Sequence, residues 1–406
     1  MKTGNALRLI CTCCLGAAIC LMVISPGARA QESKPQLTVY GFAQLDMGYD
    51  VKRNNPEWFD VMRPTQLPAD SHQYGTDGRW YSGVRQSRLG VKGSFPTPLG
   101  ELKTQFEFEM FGVGVDAGQT TIRLRHAYGE LGQFGAGQTW SPFMDPDVFP
   151  NSLEYWGPSG MVFFRNVQVR WMPVQGDSRL TFALERPGAS ADAGDFADRI
   201  ELEGVQGRFP LPDFSAEYRM GHPWGYVELA GIVRYMVWDD NNSDQYDLSG
   251  NAVGWGLNLS SNIKISKDVL RLQVIVGQGV ENYMNEGPAD VGIAKNAGDP
   301  EKPVKGKALP LLGLVAFLDH AWNDTWASSI GYSQVKITPS DLQAADAFKL
   351  GHYALANVTY SPVPMFMAGL EFQYGQRQNN LDGWKFNDYR IQFGARFSFS
   401  GVVVGS

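Results

Sequence analysis

Beyond residue 30 the chain has no cysteine. All four, Cys11, Cys13, Cys14 and Cys20, fall in the first thirty residues, which removes disulfide-stapled scaffolds and thiolate metal sites from the functional range. After Ala30 no uninterrupted apolar run approaches the ~18 to 20 residues of a transmembrane helix; the longest, Leu309 to Leu318, is broken by Pro310 and Gly313. No block of Lys or Arg offsets the formal net charge of −7, so no nucleic-acid partner is expected. The five histidines, His72, His126, His222, His320 and His352, lack metal-ligand spacing and read as surface or girdle residues. No metal, no cofactor and no catalytic residue is expected. Glu107 and Glu109 share a face, but the arginines expected beside them would lower both pKa values, where glycoside hydrolysis needs one raised.

What is present begins with an export signal. Lys2 and Arg8 precede an apolar stretch, Leu9 to Ile24, that ends in Ala28-Arg29-Ala30, a small-x-small cleavage pattern. Residues 1–30 therefore read as a cleaved signal peptide and residues 31–406 as a single domain. The segment removed holds three basic and no acidic residues, so the remaining 376 residues carry a net charge of −10. Export and acidity indicate work in the envelope or outside the cell.

The exported part repeats segments of about ten residues that alternate apolar with polar, separated by Gly, Pro, Asn and Asp, as transmembrane β-strands do. Leu37, Val39, Ala43, Leu45, Met47 and Tyr49 share one face of such a segment, and Tyr389, Ile391, Phe393, Phe397 and Phe399 share one face of another, opposite Arg390 and Arg396. A soluble sandwich also alternates. Aromatics at strand ends (Tyr49, Tyr128, Trp171, Tyr218, Trp238, Tyr360, Tyr374) and long charged side chains on the other face favour lipid outside and water inside. Strand centres fall near Ala43, Leu89, Phe106, Leu124, Gln138, Val169, Phe182, Tyr218, Gly231, Leu257, Gln273, Val315, Ile330, Ala356, Leu370 and Phe393. The fold class is all-β, a 16-stranded antiparallel transmembrane β-barrel. Ile200 to Phe209 is left in a long loop, because bacterial single-chain barrels have even strand numbers. Short turns alternate with long loops, Val51 to Trp80, Ser141 to Met161, Pro187 to Pro212 and Gly277 to Lys307, matching the asymmetry of the outer membrane.

Alternation also assigns the lumen. Arg88, Lys92, Lys103, Glu107, Glu109, Arg123, Arg125, Arg170, Arg219, Arg234, Arg271 and Arg396 fall on the polar face of their strands, and a lipid-facing Arg at mid-membrane costs ~2 to 4 kcal/mol. Antiparallel partners keep a constant index sum, so one register pairs Glu109 with Arg123 and Glu107 with Arg125, and another pairs Arg88 with Glu107 and Lys92 with Lys103. The resulting row is either a salt-bridge network stiffening the wall or a basic ladder whose glutamates orient guanidinium groups, and the two roles are compatible. The segment from Gly137 to Pro158, rich in Pro and aromatics, suits a third loop folded into the pore, with Asp145, Asp147 and Glu154 as acidic groups opposite the arginines. An ordinary capped surface loop is the plainer alternative.

SRLGVKG (Ser87 to Gly93), the run from GQTWSPF to YWGPSG, LERPG, PLPD, WGYVELAGIVR, NVTYSPVP and GLEFQYGQR together resemble the DcaP-like porins of the bacterial outer membrane. The resemblance spans about Leu37 to Phe399. It implies a 16-stranded homotrimeric barrel in the cell outer membrane, in contact with lipid and lipopolysaccharide, that takes up small anionic solutes, dicarboxylates and aromatic acids especially. The periplasmic coiled-coil extension of some members has no counterpart here, and seven residues follow Phe399 where barrels usually end on an aromatic. The functional expectation is a porin with a basic ladder facing an acidic constriction loop. The alternatives are an unselective diffusion porin and a secreted β-sandwich binding module.

Overall fold

The computed structural model describes residues 34–404, residue 198 excepted, so the expected signal peptide lies outside the described residues. Sixteen antiparallel strands form the barrel: β1 (Gln36–Asp50), β2 (Arg88–Thr97), β3 (Gly100–Phe111), β4 (Thr120–Leu131), β5 (Phe134–Trp140), β6 (Arg165–Val174), β7 (Arg179–Glu185) and β8 (Asp213–His222), then β9 (Gly225–Asp240), β10 (Gly250–Ile265), β11 (Asp268–Gln278), β12 (Pro310–Ala321), β13 (Trp326–Ile337), β14 (Phe348–Val363), β15 (Phe366–Asn379) and β16 (Lys385–Val404). Every expected strand centre lies inside one of them. The ring closes where β1 pairs with β16 from Gln36↔Val404 to Asp50↔Arg390, so Val402 and Val403 continue the last strand beyond Phe399. Closure leaves no unpaired edge. It also excludes the sandwich alternative.

Two short strands extend the sheet at the loop end. Arg79–Gly83 pairs with the upper part of β1, and Val205–Arg208, within the segment assigned to a loop, pairs with the end of β9 from Val205↔Asp240 to Arg208↔Val237. Each continues a ring position already held by a barrel strand, that of β2 along β1 and that of β8 along β9, so the even count stands. Three more short strands, Ala191–Asp192, Val291–Lys295 and Val304–Ala308, make a separate sheet from the loops after β7 and β11.

The burial pattern is inverted relative to a soluble protein. Leu89, Phe106, Val169, Leu257, Ile330 and Ile391 are exposed on the outer face, whereas Gln44, Glu107, Glu109, Gln273, Glu371 and Gln392 are buried inside. At ~25 cal/mol per Å2, an apolar belt of this extent is stable only against hydrocarbon. Two of the expected girdle aromatics face inward. A β-bulge between Glu107↔His126 and Phe108↔Leu124 leaves Arg125 as the extra residue. Beyond it the parity of β4 is reversed, so Tyr128 turns inward beneath the Arg170 guanidinium, 5.1 Å from its ring. Trp238 shares the parity of Arg234 and packs on Met236, Val291 and Ala308. His126 is likewise buried, with Nδ1 3.0 Å from Thr139 Oγ1, because Glu107 pairs with it from within the wall.

The core of the molecule is inside the barrel. The connection after β5, residues 141–164 (L3), enters the lumen and places Phe143, Met144, Val148, Met161 and Val162 against wall residues such as Ile232, Ile275, Val335 and Tyr353. Gly160 lies directly on the wall: its N–H donates to Ser333 Oγ at 2.8 Å, and a Cβ there would stand 2.0 Å from the Gln334 carbonyl oxygen. Only glycine permits that approach.

Candidate pore and its charged wall

The charged wall grows from β2, β3 and β4, whose outward faces are apolar and whose inward positions carry Arg and Glu. Its centre is Arg125, which donates from Nε to Glu107 at 2.6 Å and from Nη1 to Glu109 at 2.5 Å. Arg88 lies 3.6 Å from Glu107 and 3.5 Å from Glu109. Arg123 and Arg165 approach Glu109 at 3.6 and 3.7 Å. Tyr155 of L3 donates to Glu109 and accepts from Arg125 Nη1 at 3.1 Å. Four guanidinium groups thus share two carboxylates. The cluster has an excess of positive charge, and Arg88 Nε, Arg123 Nη1 and Arg165 Nη1 have no hydrogen-bond partner.

Its register differs from the expected one. Glu109 does pair with Arg123, but the bulge moves Arg125 out of line with Glu107. On the other side Arg88 stands opposite Glu109 and Lys92 opposite Gln105, two residues along β3 from the expected partners Glu107 and Lys103. Long guanidinium side chains still reach both glutamates. Arg165, Tyr155 and Arg85 were not expected here. Arg165 starts a strand on the parity of the outward-facing Val167 and Val169, so alternation assigns it outside. Yet it turns to lie 4.7 Å from the Trp140 ring centroid. Arg85 falls in the break between Arg79–Gly83 and β2 and pairs with Asp60 at 2.5 Å.

A second tier lies nearer the short turns. Lys92, Lys103 and Arg170 line a cavity of about 440 Å3 together with Glu130. Lys92 and Arg170 make no ion pair among the described residues; Arg170 instead donates to Gln168 at 2.8 Å and to the Trp140 carbonyl at 2.5 Å. Lys103 reaches Glu101 at 3.6 Å.

Of the remaining expected arginines, three are held by acids and Arg396 by an amide. Arg219 binds Asp145 at 2.6 Å, Asp147 at 2.5 Å and Glu228 at 2.6 Å. Arg234 binds Asp213 at 3.0 Å and Asp290 at 2.8 Å. Arg271 binds Asp319 at 2.6 Å, and Arg396 donates to Gln44 at 2.7 Å. Both aspartates of L3 are engaged on the wall: Asp145 and Asp147 bind Arg219, which also holds Glu228, on a different arc from the Arg88–Arg125 cluster. Glu154 accepts from the N–H groups of Met62 at 3.0 Å and Gly157 at 2.5 Å. Burial first, then the nearby Glu371, push its carboxyl up to about 8, so it carries little charge at neutral pH. All three side chains fix L3, Asp145 and Asp147 through Arg219 and Glu154 through backbone N–H groups.

A closed 16-stranded barrel with an apolar outer belt, a charged lumen and an inward-folded third loop is the architecture of an outer-membrane porin. The chain belongs to the DcaP outer membrane protein family, which it matches over residues 29–287. Its fold is similar to that of the outer membrane channel DcaP of Acinetobacter baumannii, at 18% identity over 92% of this chain and 100% of that one, with a TM-score of 0.74. It is also similar to an anion-selective porin from Comamonas acidovorans (11% identity, 90% and 100% covered, TM-score 0.57). A third neighbour is the trimer form of OmpT of Vibrio cholerae (12% identity, 90% and 100% covered, TM-score 0.54). At these identities the likeness is one of fold. No curated protein matches the chain. The protein is an outer-membrane channel.

Proposed function

We propose that the channel passes small anions, dicarboxylates and aromatic acids among them, in preference to cations. The observation that carries this reading is the cluster in which Arg88, Arg123, Arg125 and Arg165 surround only Glu107 and Glu109. In a narrow low-dielectric tube such an excess is focused on the passing ion. Much of the net negative charge of the chain lies in loops, where salt screens it over ~8 Å, and six further carboxylates hold Arg219, Arg234 and Arg271. Unpaired Lys92 and Arg170 continue the attraction towards the turn side. A carboxylate meets Arg bidentately, so a dicarboxylate can bridge two guanidinium groups while several weak sites let it leave. Export by a cleaved signal peptide and assembly as a homotrimer belong to the same proposal, the latter supported by the trimeric OmpT neighbour.

Liposome swelling with mono- and dicarboxylates, phosphate and neutral sugars is the test. Dicarboxylates should enter faster than neutral sugars of equal size. Equal rates would instead make this an unselective diffusion porin.

A further inference from the structure

L3 and the connection after β11, residues 279–309 (L6), enclose a cavity of about 240 Å3. Sites of roughly 300 to 1,000 Å3 hold drug-sized molecules, so this one fits a smaller solute. Phe163, Phe164, Tyr155 and Trp156 give it aromatic walls. Most of its polar groups are already engaged. Arg63 donates to Glu286 at 2.6 Å, with its guanidinium between the rings of Trp58 and Trp156, at 4.1 and 3.9 Å. Asn285 donates to the carbonyls of Trp156 and Pro158, at 2.6 and 3.1 Å.

Two groups keep hydrogen-bonding capacity. Arg123 Nη1 meets Glu109 as an ion pair at 3.6 Å but has no hydrogen-bond partner. Glu281 is fully buried, and neither of its carboxylate oxygens has one either. It sits in the turn Glu281–Tyr283 between buried Val280 and Tyr283, and Gly287 crowds it so closely that an added Cβ would stand 2.8 Å from Glu281 Cβ. Buried polar atoms are as a rule paired, and an unpaired carboxylate is among the costliest exceptions. Burial, then the charge of Asp290, hold this carboxyl well above its ordinary range.

Taking the channel reading as its basis, we infer that this cavity is a subsite for zwitterionic solutes bearing an aromatic ring. Glu281 receives the ammonium group, Arg123 the carboxylate, and Phe163 and Phe164 the ring. Ammonium groups are also attracted to aromatic faces, so the walls favour both parts of such a solute. Neither a pure anion nor a pure cation satisfies both groups.

The test uses the full-length protein in planar bilayers, with block of the ion current by three probes: L-phenylalanine, 3-phenylpropionate, which lacks the amine, and phenethylamine, which lacks the carboxylate. L-phenylalanine should block at a concentration about tenfold below either analogue, since a site with buried polar groups discriminates against the solute that leaves one unpaired. E281Q should remove the advantage over 3-phenylpropionate, and R123Q the advantage over phenethylamine. Equal block by all three probes in the unsubstituted channel would overturn the inference without needing any variant. So would an advantage that persists in an E281Q protein still showing heat-modifiable migration. A channel that conducts but does not discriminate refutes only this subsite. One that carries no current, or prefers cations, refutes the reading on which it rests.

Discussion

Removing the excess charge of the arginine cluster one unit at a time should change ion selectivity in steps. Arg88 is the side chain to begin with, because it lies 3.5 to 3.6 Å from its glutamates and is about a quarter exposed, whereas Arg125 makes the short bonds that hold the cluster together. Loss of Arg125 strands two buried carboxylates, which typically costs ~3 to 5 kcal/mol, and would confuse selectivity with folding. Counting four guanidinium groups against two carboxylates, Arg88→Ala halves the excess and Arg88→Ala with Arg123→Ala abolishes it. In a water-like medium one unit charge at ~4 Å is worth about 1 kcal/mol to a passing ion. Anion and cation respond with opposite sign, so each step is worth ~2 kcal/mol in their ratio, or at most about 30-fold. At 0.1 M salt, with a Debye length of ~10 Å, several-fold per step is expected. The assay is the reversal potential of single and double variants in a KCl gradient. A double variant with unchanged selectivity would show that this cluster does not set the pore's preference.

Three other outcomes follow from the geometry. Glu154 has a carboxyl raised to about 8 from its ordinary value, so its contribution to stability is full below the ordinary carboxylate range, around pH 4.5, and is lost as pH rises through about 8. The melting temperature should fall between about pH 4.5 and pH 8, and Glu154→Gln should flatten that slope; parallel curves would contradict the assignment. Gly160→Val has no room against the Gln334 carbonyl and should lift L3 off the wall, raising single-channel conductance in folded protein; unchanged conductance would mean that L3 does not set the bore. On the outer face, Leu257→Arg should destabilise folding into vesicles by about 2 to 4 kcal/mol near the bilayer midplane, read from urea titration, and a loss below 0.5 kcal/mol would place that residue away from lipid.

Alternation made the barrel legible because a two-residue period between lipid and water is the strongest constraint on these strands. It located all sixteen strands and put Glu107, Glu109, Arg125, Arg219 and Arg234 on the inner wall, where they are buried. It failed wherever the period is interrupted. The bulge at Arg125 reversed the parity of Tyr128, and the two-residue register difference between β2 and β3 changed the partners of Arg88 and Lys92. Loop residues have no period to read. The capture of Asp145 and Asp147 by Arg219, the arrival of Arg165 and Tyr155 at Glu109, and the enclosure of Glu281 all depend on how L3 and L6 fold back into the lumen. The Pro and aromatic content from Gly137 to Pro158 was the one local signal for L3.

The account turns on the sign of selectivity in a protein with an acidic sequence. The most direct measurement is the reversal potential of the unsubstituted channel, reconstituted in a planar bilayer across a tenfold KCl gradient. The excess of guanidinium groups in the wall gives the potential the sign of chloride permeation, and that preference should weaken as ionic strength rises. A potential with the sign of potassium permeation would contradict the account.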